Sequence, residues 1–160
     1  SWYKEASWGI SEHKLDTILT AETLKRLTFL PMGKGFYLQN PEHIEKSGMK
    51  ITHAKKAVIV DNYKTAEHRE AAKQALKKAT ELMRKVDVLI LDEVCNAVSD
   101  GLIQEFDVLE LLKEREATHL VLTGRNASPL LQQSADLVST IAKTKHPFDA
   151  GKLAVKGLDF

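Results

Sequence analysis

The run from Val86 to Leu91, VDVLIL, is apolar at every position but one and stops on two adjacent carboxylates, Asp92 and Glu93. A run this apolar does not show the period-two alternation of a half-wet strand, and reads as a strand covered on both faces, the kind that parallel sheets are built from. Two more such runs follow, Thr118 to Leu122 and Asp136 to Ala142. Before the first lies TAEHREAAKQALKKATELMRK, in which Ala72, Ala75, Ala79, Leu82 and Met83 recur at helical spacing. Thr65 is placed to cap it, and Arg84 and Lys85 to meet the dipole of its last turn. After the Ser99-Asp100-Gly101 turn a second helix is expected, with Phe106, Leu109 and Leu112 on its apolar face. Ser128-Pro129, a capping residue followed by proline at the first helical position, opens a short third helix through Gln133.

The order α, β, α, β, α, β predicts an α/β fold: a mostly parallel sheet with helices on both faces and right-handed crossovers. Ligands of such sheets bind beyond the carboxyl ends of the strands. Three polar sequences fall there: Asp92-Glu93, Thr123-Gly124-Arg125, and the segment from Lys145 onward. The first sixty residues carry less pattern. LTFLP at 27–31 reads as a short strand, MGKGF as a glycine-rich turn, and AKKAVIVDNY as another β stretch.

A chain of 160 residues reads as one domain, residues 1–160. Lys and Arg number 23 against 22 Asp and Glu, so the net charge of +1 gives no global attraction to nucleic acid or to a membrane surface. Cys95 is the single cysteine and cannot close an intramolecular disulfide, and no apolar run approaches the ~18 residues of a membrane span, which favours a cytoplasmic setting. The chain starts at Ser1 on a stretch with no cap or strand pattern, and is expected to be the remainder of a longer protein.

Each polar sequence has two readings. Asp92 and Glu93 either hold a divalent cation beside bound phosphates or cap the turn after the strand. Arg125 presents a guanidinium fork suited to phosphate or carboxylate, or is a solvated side chain after a turn glycine. A phosphate loop, G-x-x-x-x-G-K-[ST], does not occur. Gly33-Lys34-Gly35 is followed by Phe36 where a hydroxyl is needed, and reads as a turn. His146 has only Asp149 at ligand spacing, against a structural zinc site. Cys95, without a neighbouring His in sequence, reads as a small buried hydrophobe rather than a nucleophile.

Taken together, VLILDEVCNAVSDGLI, VLTGRNASPLLQQSADLVSTI and KHPFDAGKLAVKGLDF resemble the C-terminal part of the P-loop type ATP:corrinoid adenosyltransferases, from about Val86 to Phe160. The resemblance implies a P-loop NTPase (RecA-like) core whose first strand and phosphate loop are missing from this sequence. It implies transfer of the 5′-deoxyadenosyl group of ATP to the cobalt of a reduced corrinoid, with release of triphosphate. By position in the matched blocks, Glu93 with Asp92 would hold Mg²⁺ or Mn²⁺, and Arg125 would contact phosphate. Thr123 and Gly124, with Lys145, His146, Phe148 and Asp149 of the KHPFDAG block, are the other expected binding residues. Gly35-Phe36-Tyr37-Leu38 resembles the family's Gly-Phe-x-Trp stretch under the corrin. Phe36 is kept, Leu38 stands where the second aromatic belongs, and Tyr37 is a substitute for it. Between this stretch and Asp92 the chain is about twenty residues longer than typical members, so the segment around 41–64 has no assigned role. An electron-donating flavoprotein and a homodimer are the partners implied. The alternative is a degenerate member that binds corrinoid, nucleotide or a protein partner without transferring anything.

Overall fold

The computed structural model describes Trp2, residues 14–35 and residues 64–150. By its contacts the chain divides into two units. The first comprises Ser1–Glu5, Pro31–Tyr37 and Asp61–Ser139, and the second comprises Ala6–Leu30, Leu38–Val60 and Thr140–Phe160.

In the second unit, two single-turn helices, α1 (Leu15–Ile18) and α2 (Ala21–Leu24), follow one another. Thr20 caps α2 by accepting the Thr23 N–H at 3.2 Å. A 3₁₀ turn spans Pro147–Ala150. The strand expected at 27–31 is absent: those residues run without regular structure.

The first unit holds the α/β part. Helix α3 (Thr65–Met83) buries Ala72, Ala75, Ala79 and Met83 in one stripe, as the spacing predicts, and adds His68 to it while Leu82 is only half-buried; the small alanines let the neighbouring strand approach. Its cap differs from expectation. Lys64 is the N-cap, and its backbone N–H donates to the Glu67 carboxylate at 2.8 Å, so Thr65 is already helical. Arg84 and Lys85 lie just past the last turn rather than in it.

Strand β1 (Val88–Leu91) leads out of α3, and β2 (His119–Leu122) pairs with it in parallel, Leu91 opposite Leu122. Between them run α4 (Val94–Ser99) and α5 (Glu105–Lys113), and beyond β2 comes α6 (Pro129–Gln133). Thr118, itself buried, lays its hydroxyl on the carbonyls of Met83 and of Val86, the latter at 2.9 Å, which ties the start of β2 to the end of α3. The core gathers Met83, Leu91, Val94, Ala97, Leu102, Ile103, Val108, Leu111 and Leu131.

Three expectations are corrected here. The strands are not covered on both faces: Leu89, Leu91, Leu120 and Leu122 turn to the core, whereas Val88 is 52% and Ile90 60% exposed. Where every position is apolar, sequence carries no signal for which side of the pleat is inward. The buried face of α5 is Val108 and Leu111, with Leu109 and Leu112 half-buried, while Phe106 is exposed. Phe106 stands about 200° around the helix from Val108 and lies under the Lys113 ammonium, 5.9 Å from the ring centroid. Residues 136–142 form no strand, and Leu137 and Ile141 are exposed. A strand needs a neighbour to satisfy its backbone, and among the described residues the sheet has the order β1-β2 alone.

Because Met83 is buried and Ile90 is not, Met83→Ala should lower the unfolding free energy by about 2–4 kcal/mol and Ile90→Thr by less than about 0.5 kcal/mol, read from urea denaturation midpoints.

Candidate functional site

The parallel register brings the ends of β1 and β2 level, so the residues that follow each strand, Asp92-Glu93 and Thr123-Gly124-Arg125, start side by side. The ladder continues one step past the strands, with the Thr123 N–H donating to the Leu91 carbonyl at 3.2 Å. The Thr123 hydroxyl then joins the two loops. It donates to Asp92 Oδ1 at 3.0 Å and accepts the Glu93 N–H at 2.9 Å. One side chain thereby sets the rotamer of the first acid and the backbone of the second.

Glu93 needs that support. Its φ of 64° and ψ of 18° lie in the left-handed region, which costs a non-glycine residue about 1 kcal/mol or more. The turn it makes starts α4, whose helical bonding opens with the Ala97 N–H donating to the Glu93 carbonyl at 3.2 Å. Both acids are half-buried. The carbonyl of Asp92 accepts the backbone N–H of Trp2 at 3.2 Å, and the Trp2 ring is buried in the core with its indole N–H unpartnered.

The second loop lies along α4. The Cys95 N–H donates to the Thr123 carbonyl at 3.1 Å, the Arg125 N–H donates to Asn96 Oδ1 at 2.6 Å, and the Asn126 amide donates to the Ser99 hydroxyl at 3.3 Å. Gly124, at φ 128°, is where the loop presses hardest on the helix: a Cβ there would stand 2.6 Å from Asn96 Oδ1. The Arg125 side chain is exposed. Ser128 caps α6 as expected, accepting the Leu131 N–H at 3.1 Å, and its hydroxyl donates to the Glu105 carboxylate of α5.

Cys95 is buried, and burial pushes its thiol above the ordinary value of 9.0, more strongly than a backbone hydrogen bond pulls it down. It is held as the neutral thiol, a poor nucleophile.

The structure thus brings together Asp92, Glu93, Thr123, Gly124 and the backbone of Arg125. Lys145 and His146 are exposed and belong to the second unit, as does the 3₁₀ turn that carries the backbone of Phe148 and Asp149, whose side chains lie outside the described residues. Phe36, Tyr37 and Leu38 also lie outside the described residues. Asn96 and Trp2 were not legible as site residues. A polar residue inside the buried run VCNAV is the one sequence signal that points to Asn96.

For a divalent cation, no cluster of three or more His, Cys, Asp or Glu side chains occurs among the described residues. Two half-buried carboxylates fit Mg²⁺ in the form it commonly takes in nucleotide sites, with one or two protein oxygens and the rest of the shell from phosphates and water. They do not make an all-protein cage.

Three outcomes follow from this arrangement. Gly124→Ala should destabilise the chain by about 1–3 kcal/mol, measured by urea denaturation, since both the left-handed backbone and the Asn96 contact oppose a side chain. Thiol reagents should label Cys95 at least about tenfold more slowly in the native chain than in urea. Its contribution to stability should be complete below the ordinary thiol range and be lost as pH rises above 9.0, because the thiol of the unfolded chain ionises first.

This arrangement sits in a sequence with known relatives. The family described as ATP:corrinoid adenosyltransferase BtuR/CobO/CobP matches residues 2–160. A corrinoid adenosyltransferase of Sinorhizobium sp is 41% identical over 93 residues, 56% of this chain and 44% of that protein. One from Pseudomonas aeruginosa is 38% identical over 92 residues, 56% of this chain and 45% of the relative, and one from Escherichia coli K12 is 33% identical over 76 residues, 47% and 39%. The chain spans less than half the length of the curated relatives it matches. With a match over nearly every residue, the two loops joined by Thr123 included, the chain belongs to the ATP:corrinoid adenosyltransferase family.

Proposed function

We propose that this chain supplies the metal-and-phosphate end of an adenosyltransferase site, within one adenosyltransferase-like domain of P-loop NTPase (RecA-like) type over residues 1–160. The reaction is transfer of the 5′-deoxyadenosyl group of ATP to the cobalt of a corrinoid. The observation that carries this reading is the Thr123 hydroxyl, which reaches from the end of β2 to fix both acids at the end of the adjacent parallel strand β1, two residues before Arg125.

A one-electron donor, a flavoprotein by the family resemblance, reduces Co(II) to Co(I). The cobalt electron pair then becomes the bond to C5′ as the C5′–O bond breaks, and triphosphate leaves with the electron pair of that broken bond. The leaving group is highly charged, so the site must hold negative charge that grows at the departing oxygen. Asp92 and Glu93 would hold Mg²⁺ or Mn²⁺, which supplies Lewis-acid charge stabilisation there when bound. Arg125 donates its guanidinium protons to phosphate oxygens, bidentately where geometry allows. Thr123 acts by positioning, because its hydroxyl is already committed to Asp92 and Glu93. Gly124 lets the loop pass close to α4. Lys145, His146, Phe148 and Asp149 are assigned to the same substrates, and Phe36, Tyr37 and Leu38 to covering the corrin face and excluding water from the cobalt. A homodimer working in the cytoplasm completes the reading.

The test is calorimetric titration with MgATP, followed by an adenosylation assay with a reduced corrinoid, on the 160-residue chain and on the full coding sequence that contains it. Binding and turnover by either, with Glu93→Gln and Arg125→Ala each lowering kcat/KM by about 100-fold, support the proposal. Retained nucleotide or corrinoid binding without transfer in both would identify a non-catalytic family member instead. Unchanged rates in both variants would sink the site assignment.

A further inference from the structure

Asn96 is 9% exposed and stands in α4 between Cys95 and Ala97, both buried. A carboxamide in such surroundings is costly unless its polar atoms are satisfied. Its Oδ1 accepts the backbone N–H of Arg125 at 2.6 Å, across twenty-nine residues of sequence. The approach is possible only because residue 124 is glycine, since a Cβ at that position would stand 2.6 Å from the same oxygen and 3.1 Å from Cys95 Cβ. Further along the helix, Asn126 at φ 58° donates to Ser99, so the loop is fastened on both sides of Arg125. The side chain of Arg125 is exposed and makes no ion pair with a described residue. A fixed root under an uncommitted guanidinium is the arrangement by which a cation is held ready for an anionic group that arrives later.

We infer that Asn96 is a positioning residue: its buried carboxamide, acting through the Arg125 amide, holds the guanidinium where the polyphosphate of the nucleotide binds, an inference that rests on the reading of Arg125 as the phosphate contact. Asn96 touches no substrate in this scheme. Its effect passes wholly through Arg125.

The experiment is a double-mutant cycle on the full chain, with inorganic tripolyphosphate plus Mg²⁺ as the calorimetric probe. Asn96→Leu keeps the branching and heavy-atom count of the side chain and loses the acceptor. It should weaken tripolyphosphate binding by about tenfold, and should do nothing further in an Arg125→Ala background. Met83→Ala, which destabilises the same unit away from the loop, should leave the affinity unchanged, so loss of stability alone does not imitate the effect. Equal weakening by Asn96→Leu with and without Arg125, or no weakening where Arg125→Ala has one, overturns the inference and leaves the site reading standing. An Arg125→Ala chain that binds tripolyphosphate as well as wild type overturns both. If Asn96→Leu does not fold, hydrogen exchange in the wild-type chain decides: the Arg125 amide should exchange at least about tenfold more slowly than that of Asn126, and equal exchange rejects the inference.

Discussion

A single hydroxyl organises the carboxyl end of this sheet. Thr123 Oγ1 donates a hydrogen bond to Asp92 and accepts one from the Glu93 amide, so the loops that follow two parallel strands become one body. Without that bond the left-handed turn at Glu93 would lose one of its restraints and the Asp92 carboxylate one of its fixed partners. The start of α4 depends on the same turn, and the Thr123-to-Asn126 loop is in turn laid on α4 by Cys95, Asn96 and Ser99. Each half of the site is built on the other.

The energetic logic is that of preorganisation. In the proposed reaction, a site for a strongly charged leaving group cannot wait for its donors to be ordered when the charge develops, because ordering then adds to the barrier. Backbone strain at Glu93, a glycine with no room for a side chain and a buried carboxamide are all unfavourable features in isolation. They are tolerated because the core beneath, built from Val94, Ala97, Leu102, Val108 and Leu111, holds α4 and α5 in place. The exposed outer face of the strands, with Val88, Ile90 and Val121, carries none of this constraint.

Much of the chain is legible in its sequence. Helix α3 declared itself by alanines at helical spacing, the two strands by their apolar runs, and α6 by Ser128 before Pro129. The carboxyl-end rule for α/β sheets points to Asp92, Glu93, Thr123, Gly124 and Arg125 as candidates, and the structure brings the first four together with the Arg125 backbone. The failures have physical causes. Helix α4 was hidden because VCNAVS is six residues long, too short to show a period. Phe106 counts toward the apolar face of α5 by its hydrophobicity, yet its angle around the helix turns it away from Val108. Residues 136–142 have strand-like composition, yet composition cannot provide the neighbour that a strand requires.

What the sequence determined alone is therefore local and chemical: which segments can be helix or strand, that the elements alternate, and which charged residues follow the strands. Those follow from periodicity, capping and the identity of side chains. Only the tertiary structure decided that Thr123 is a bridge rather than a free hydroxyl, that Asn96 reaches the Arg125 amide, and that Glu93 sits in a left-handed turn. Each of these depends on contacts between residues some thirty positions apart, set by the parallel register of β1 and β2, and no pattern within either segment encodes that register.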